Sequence, residues 1–174
     1  MNIIEINNLT RKFDNKNAVD DISFEVKEGE IFGFLGPNGA GKTTTISILC
    51  TLLQPTSGLA TISGHNFIHD RDQVRSSIGI VFQDPSLDGD LTAEENLRFH
   101  GMVYNIPKEI REERIEYLLK MVDLYDKKDE LTKNYSGGMK RRLEIARGLL
   151  HYPKVLFLDE PTIGLDPQTR NRIW

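Results

Sequence analysis

The sequence predicts an α/β protein with a mostly parallel sheet, antiparallel strands at its N-terminal end and an α-helical subdomain inserted part-way along the chain. Three features lead there. Compact apolar runs bounded by turn residues stand at 31–35, 78–82 and 155–158, the pattern of strands buried on both faces. The first of these runs enters a glycine-rich loop and then a helical pattern, which makes a strand–loop–helix unit. Between the second and third lies a charge-rich stretch with apolar residues at helical spacing, and helices alternating with apolar strands favour a parallel sheet covered by helices.

Taken in order, residues 1–13 and 22–26 are alternating or β-branched stretches and read as N-terminal strands, followed by the turn Lys27-Glu28-Gly29-Glu30. Residues 31–35 are expected as a buried strand and 43–53 as the helix after the loop. Thr92-Ala93-Glu94-Glu95 has capping-box spacing ahead of Leu97 and Phe99, where the Thr and Glu side chains each satisfy the other's backbone amide. Pro107 suits the first position of a helix carrying Ile110, Leu118 and Val122, because its missing N–H costs nothing there. The expected parts are 1–83, an N-terminal β part with the phosphate-loop core; 84–150, the helical subdomain; and 151–174, an acidic strand with the start of the loop or helix after it, the core being incomplete.

Composition narrows the class. The 174 residues are 39% hydrophobic and 28% charged, a globular balance close to one domain in size. No stretch reaches the roughly 18 apolar residues of a membrane span, and residues 1–8 lack the basic flank and apolar block of a signal peptide, so a cytoplasmic location is expected. The single cysteine, Cys50, excludes an internal disulfide and a cysteine metal cluster, and its apolar helical setting suggests a buried small hydrophobe. A net charge of −4 disfavours nucleic acid as a partner. Lys140, Arg141 and Arg142 form the densest basic group and read as a solvated helix face.

Three motifs carry chemistry. Gly36-Pro37-Asn38-Gly39-Ala40-Gly41-Lys42-Thr43 fits a phosphate-binding loop, in which small residues let successive backbone amides turn towards an anion. Lys42 can reach β- and γ-phosphates, Thr43 can offer its hydroxyl to Mg²⁺, and the helix N-terminus adds positive partial charge. Val155-Leu156-Phe157-Leu158-Asp159-Glu160 delivers two carboxylates to the end of a strand, where ligands gather in open α/β sheets. Asp159 would serve the metal, and Glu160, pointing the other way along an extended chain, would polarise water. Ser136-Gly137-Gly138-Met139-Lys140 opens a helix with Leu143, Ala146 and Leu150 on one face. Ser136 is its expected N-cap, and the glycines allow an anion close to the backbone.

In this combination and order the motifs resemble the ATP-binding cassette ATPases, P-loop NTPases with a RecA-like sheet, over essentially the whole chain. The match runs from Gly36 to Thr44, through Gln83 after a strand, the signature Tyr135-Ser136-Gly137-Gly138-Met139 and Asp159-Glu160, to Gly164-Leu165-Asp166. The resemblance implies ATP and Mg²⁺ as cofactors and a head-to-tail dimer in which Ser136, Gly137 and Gly138 of one subunit complete the other's nucleotide site. It further implies Gln83 as a link between the metal and water site and a transport partner, Asp166 as a cross-dimer loop residue, and Phe13 as the aromatic that stacks on adenine. Val81-Phe82-Gln83-Asp84-Pro85-Ser86-Leu87-Asp88 with Leu91-Thr92-Ala93-Glu94-Glu95-Asn96-Leu97 looks like the drug- and antibiotic-export ATPases of the daunorubicin-resistance type. Those ATPases pair with separate integral-membrane permeases and sit on the cytoplasmic face of the membrane.

A complete cassette continues past the acidic strand through a helix, a further strand and a histidine at the γ-phosphate. None of His65, His69, His100 and His151 follows that strand, so all four read as surface or structural residues, and the resemblance implies a C-terminally truncated chain with a gap in its sheet and weakened ATP turnover. A non-transport cassette of translation or DNA repair is the rival reading. The short interval from Gln83 to Ser136, without sustained heptads, disfavours its coiled-coil forms. A binding-only fragment is a third reading, against which Lys42 and Glu160 argue for the intact protein.

Overall fold

Two long strands open the chain in the computed structural model, which describes residues 1–82 and 86–159. β1 (Asn2–Phe13) and β2 (Lys16–Lys27) pair antiparallel across a tight turn at Asp14 and Asn15. β3 (Ser57–Ile62) pairs on the other side of β1 and β4 (His65–Asn66) on β3, giving the order β2-β1-β3-β4. Burial on β1 steps from Ile4 and Ile6 to Leu9, a change of parity that strict alternation forbids. The ladder register shifts between Ile6 and Leu9, so the irregularity re-aims Leu9 into the core. Asn8, at φ 50, holds the shift by donating to Asp21 Oδ1 at 2.8 Å and to Ser23 Oγ at 2.8 Å. β2 therefore begins six residues earlier than its apolar pattern at 22–26 indicates. Its first half is mostly exposed, with Val19 buried, which leaves little hydrophobic period to read.

Residues 31–35 depart from expectation. They belong to no strand among the described residues, and Ile31 and Leu35 are 87% and 92% exposed. A parallel strand needs a hydrogen-bonded neighbour, and no such pairing is present there among the described residues. Aromatic packing holds the run instead: Phe32 stacks on Phe24 of β2 at 5.1 Å between ring centres, and Phe34 lies 5.6 Å from the same ring. Helix α1 (Lys42–Leu49) follows the loop, with Ile48, Leu49 and the adjoining Cys50 buried. Burial pushes the Cys50 thiol up to about 12, in keeping with a small core hydrophobe. α2 (Arg71–Ser77) completes this first compact unit, Met1–Ile78.

The second unit starts at Gly79. β5 (Ile78–Val81) and β6 (Val155–Leu158) form a two-stranded sheet. Asp159 N donates to Val81 O at 3.0 Å, so the strands end side by side and run parallel. All four residues of β6 are only partly buried, against the expectation of a fully buried strand, because a two-stranded sheet covers little of each strand. Among the described residues between them are the α-helices α3 (Ala93–Val103), α4 (Lys108–Met121) and α5 (Gly137–Leu149). The capping box forms as predicted, Thr92 Oγ1 accepting from Glu95 N at 3.2 Å and Glu95 Oε2 accepting from Thr92 N at 2.8 Å. Pro107 is the N-cap of α4 and Lys108 its first helical residue, one position from the sequence expectation. Leu97, Ile115, Leu118, Leu119, Leu143 and Leu150 pack as a common core. No described helix is long and apolar enough to cross a membrane.

Two consequences are measurable. Leu118→Ala removes a fully buried side chain and should cost about 2–5 kcal/mol in urea unfolding, whereas Phe99→Ala, at a position 60% exposed, should stay within about 0.5 kcal/mol. His100 of α3 lies against Tyr104 and His151, with ring centres 4.8 and 5.9 Å away, and its Nε2 is buried without a hydrogen-bond partner. Burial first, then the charges of Arg147 and His151, lowers its imidazole from 6.5 to about 4. A folded value below the unfolded one makes the contribution of neutral His100 complete above pH 6.5 and lost as pH falls towards 4. The urea midpoint should fall across that window, and His100→Phe should flatten the fall; an identical pH profile in the variant would remove His100 from the account.

Candidate nucleotide site

The predicted site residues fall in both units. In the first, the loop from Gly36 to Gly41 leads into α1, and Gly39 and Gly41 adopt φ 81 and 83. A Cβ on Gly41 would stand 2.1 Å from the Ala18 carbonyl oxygen of β2, so the left-handed turn and the close approach both require glycine. Ala40 N donates to Pro37 O at 3.1 Å and tightens the loop. Lys42, the first residue of α1, donates through Nζ to Gly36 O at 2.7 Å and Pro37 O at 2.9 Å, which folds its ammonium across the loop it closes. Thr45 N and Oγ1 donate to Gly41 O at 2.8 and 2.9 Å. Pro37, Asn38, Gly39, Ala40 and Thr43 are exposed, and Thr44 is half-buried. The loop thus joins an accessible backbone, a converging ammonium and the positive end of a helix.

Phe13 closes β1 in the same unit. It is 45% exposed, with the Arg11 guanidinium 4.5 Å over its ring, so it presents an accessible aromatic face and is not a core residue.

In the second unit Ser136 caps α5 as expected, its Oγ accepting from Met139 N at 3.2 Å. Ser136 and Gly137 are exposed and Gly138 is half-buried; a Cβ on Gly137 would meet nothing within 4 Å. The preceding Tyr135 is buried and donates its hydroxyl to Lys127 O at 2.6 Å; burial pushes its phenol up to about 12. This anchors the turn that presents Ser136. Asp159 stands at the end of β6, 7% exposed.

Arg141 corrects the reading of the basic group as a solvated face. It is 5% exposed and donates to Asp159 O at 2.7 Å and also to Phe82 O. Arg142 donates to Val122 O at 3.0 Å at the end of α4, where a cation meets the helix's negative pole. Glu144 and Arg147, which sequence reasoning passed over, both bind Ser86. Ser86 N donates to Glu144 Oε1 at 2.6 Å and Arg147 Nη1 donates to Ser86 O at 2.7 Å. Charges three and six residues after Arg141, interrupting the apolar face of Leu143, Ile145 and Ala146, are the signal that could have found them. Gln83, Glu160 and Asp166 lie outside the described residues.

The geometry agrees with the comparisons to known proteins. Residues 19–163 match the ABC transporter family. The chain belongs to that family of ATP-binding cassette proteins. It is 44% identical over 171 residues to the daunorubicin/doxorubicin resistance ATP-binding protein DrrA of Streptomyces peucetius, covering 98% of this chain and 52% of the relative. It is also 44% identical over 165 residues to the bacitracin transport ATP-binding protein BcrA of Bacillus licheniformis, covering 95% and 53%. The chain thus spans about half the length of these relatives. Among solved structures it is similar to an ATP-binding subunit of an ABC transporter, with TM-score 0.90 and 30% identity over 98% of this chain and 71% of the other. A dimeric ATP-binding cassette in a post-hydrolysis state bound to ADP and Pi matches with TM-score 0.86 and 31% identity over 98% and 79%.

The loop geometry separates two glycines. Gly41→Ala must move backbone and should abolish saturable nucleotide binding. Gly39→Ala meets nothing within 4 Å and should carry only left-handed strain of about 1–2 kcal/mol, with binding retained. Equal loss in both variants, measured by equilibrium titration with circular dichroism as the folding control, would contradict the close approach at Ala18.

Proposed function

We propose that the complete protein is the ATP-binding and hydrolysing subunit of an ABC exporter, working as a dimer on the cytoplasmic face of the membrane with separate permease subunits. The observation that carries this is the phosphate loop: Gly41 packed on Ala18 delivers Lys42 to the loop's centre and Thr43 to the exposed first turn of α1. Export of a drug-like or other small compound is proposed from the resistance and transport proteins whose ATP-binding subunits the chain resembles.

Each residue has a role within this reading. The amides of Gly36, Pro37, Asn38, Gly39, Ala40 and Gly41, where an N–H exists, surround the phosphates. Lys42 exchanges its two carbonyl contacts for phosphate oxygens, and Thr44 supports the loop from the first helical turn. Phe13 stacks on adenine. The donors Thr43, Asp159 and Gln83 are hard oxygens suited to Mg²⁺, which takes few protein ligands and completes its shell with phosphate and water. Bound there, the ion would neutralise charge on the transferred phosphoryl group. Glu160 orients and deprotonates the attacking water. Ser136, Gly137 and Gly138 meet the γ-phosphate bound to the other subunit, and Asp166 lies at the same dimer contact.

Two variants test the assignment. Mg-ATP titrated into the wild-type chain should saturate, and Lys42→Ala should weaken binding at least about tenfold through loss of a charge-assisted contact. In the complete protein Glu160→Gln should bind ATP and accumulate the dimer while turnover falls by about 10² or more. Unchanged hydrolysis in that variant would show that another group activates the water.

A further inference from the structure

Arg141, Glu144 and Arg147 recur every three residues along α5 and therefore lie along one side of the helix. They are charged, yet Arg141 is 5% exposed, Glu144 0%, and the Arg147 side chain 16%. Their partners lie mainly at the ends of other segments. Arg141 donates to the carbonyls of Phe82 and Asp159. Glu144 Oε1 accepts from Ser86 N at 2.6 Å and Ser86 Oγ at 3.2 Å. Arg147 donates to Ser86 O at 2.7 Å and to Ser86 Oγ, and pairs with Glu144 at 3.2 Å. Phe82 directly precedes Gln83, Ser86 stands three residues after it, and Asp159 directly precedes Glu160. The same helix begins at Ser136.

Burying three charges on one helix is costly unless their hydrogen bonds demand it. Here Glu144 Oε2 is buried without a hydrogen-bond partner, so the row is not optimised for stability alone. Most of its bonds go to backbone atoms of the segments that carry the glutamine and the general base. A planar guanidinium carries its donors on separate nitrogens in a rigid fork, so it holds two carbonyls at a fixed spacing, whereas an ammonium offers all its donors from one nitrogen.

We propose that Arg141, Glu144 and Arg147 are positioning residues. They lock the chain ends bearing Gln83 and Glu160 to the signature helix, so that engagement of nucleotide at Ser136 is transmitted to the hydrolytic groups. The proposal rests on the ATPase reading above and adds the coupling element within one subunit. Rigid side chains carry a helix displacement to both ends of the Gln83 segment and to the acidic strand together. Hydrolysis then depends on the row, while nucleotide affinity, set at the phosphate loop, does not.

The test uses the complete protein, with equilibrium binding of a fluorescent ATP analogue and steady-state hydrolysis measured side by side. Glu144→Ala should lower kcat about tenfold or more, as a misplacement near 1 Å suffices to do, with Kd for nucleotide within about twofold of wild type. Glu144→Gln keeps an oxygen for Ser86 N and should recover kcat to within about threefold, an outcome that simple destabilisation does not produce. If Glu144→Ala fails to fold, Arg147→Lys carries the test, since it keeps the charge and loses the fork; kcat should drop at least about threefold at unchanged Kd. Hydrolysis within about twofold of wild type in folded Glu144→Ala or Arg147→Lys overturns the proposal, and so does a kcat loss matched by equal loss of binding. Lys42→Ala separates the two claims: if it hydrolyses ATP at the wild-type rate, the ATPase reading fails and the coupling role falls with it.

Discussion

The Arg141 guanidinium is the contact on which the paired strand ends of the second unit depend. Two four-residue strands pair there, β5 and β6, and a pair of short parallel strands has few ladder bonds of its own. Arg141 ties their C-terminal ends by donating to the carbonyls of Phe82 and Asp159. Those carbonyls mark the places where the ladder stops and backbone acceptors would otherwise need water. A buried cation fits because its charge is spread over several donors in one plane and the acceptors are carbonyl dipoles. The acidic strand is thereby held by a side chain from the helix that Ser136 caps.

The first unit solves its problem by another route. Its glycine-rich loop follows residues that form no strand among the described residues, so no ladder described there positions the loop from the preceding run. It is positioned from beneath, where Gly41 meets the Ala18 carbonyl, and from within, where Lys42 bridges Gly36 and Pro37. The run before it leans on Phe24 through Phe32 and Phe34. Aromatic stacking fixes the approach of the chain but leaves its backbone polar groups to solvent, consistent with the exposure of Ile31 and Leu35. Anion binding asks only for the turn, the amides and the helix end, all of which are local.

That difference explains what could be read from the sequence. The loop, the Thr92 capping box, the Ser136 cap and the core face of α5 were legible because each is written within a few residues by glycine conformation, side-chain capping or helical spacing; on α3 and α4 Leu97, Leu118 and Val122 are buried as read, but Phe99 and Ile110 face solvent. The strand expected at 31–35 failed because an apolar run states a preference for burial without naming a partner, and pairing is not local. The start of β2 at Lys16 was hidden by its exposed residues. Arg141 was misread because a basic residue looks alike on a wet face and beneath two strand ends. Its partners lie 59 and 18 residues away, and those of Glu144 and Arg147 lie 58 and 61 residues away at Ser86.

The contrast also orders the site energetically. The groups proposed to touch nucleotide are mostly backbone amides, glycines and small hydroxyls, which bind phosphate wherever the local turn is correct. The groups that hold these elements in place within the second unit are long charged side chains, which reach segments far away in sequence. Affinity for nucleotide should therefore reside in short, locally coded motifs. Rate should reside in the bridges between them, because a reacting water must be placed to a fraction of an ångström while a bound phosphate tolerates more. The buried row on α5 is the element proposed to meet the second requirement.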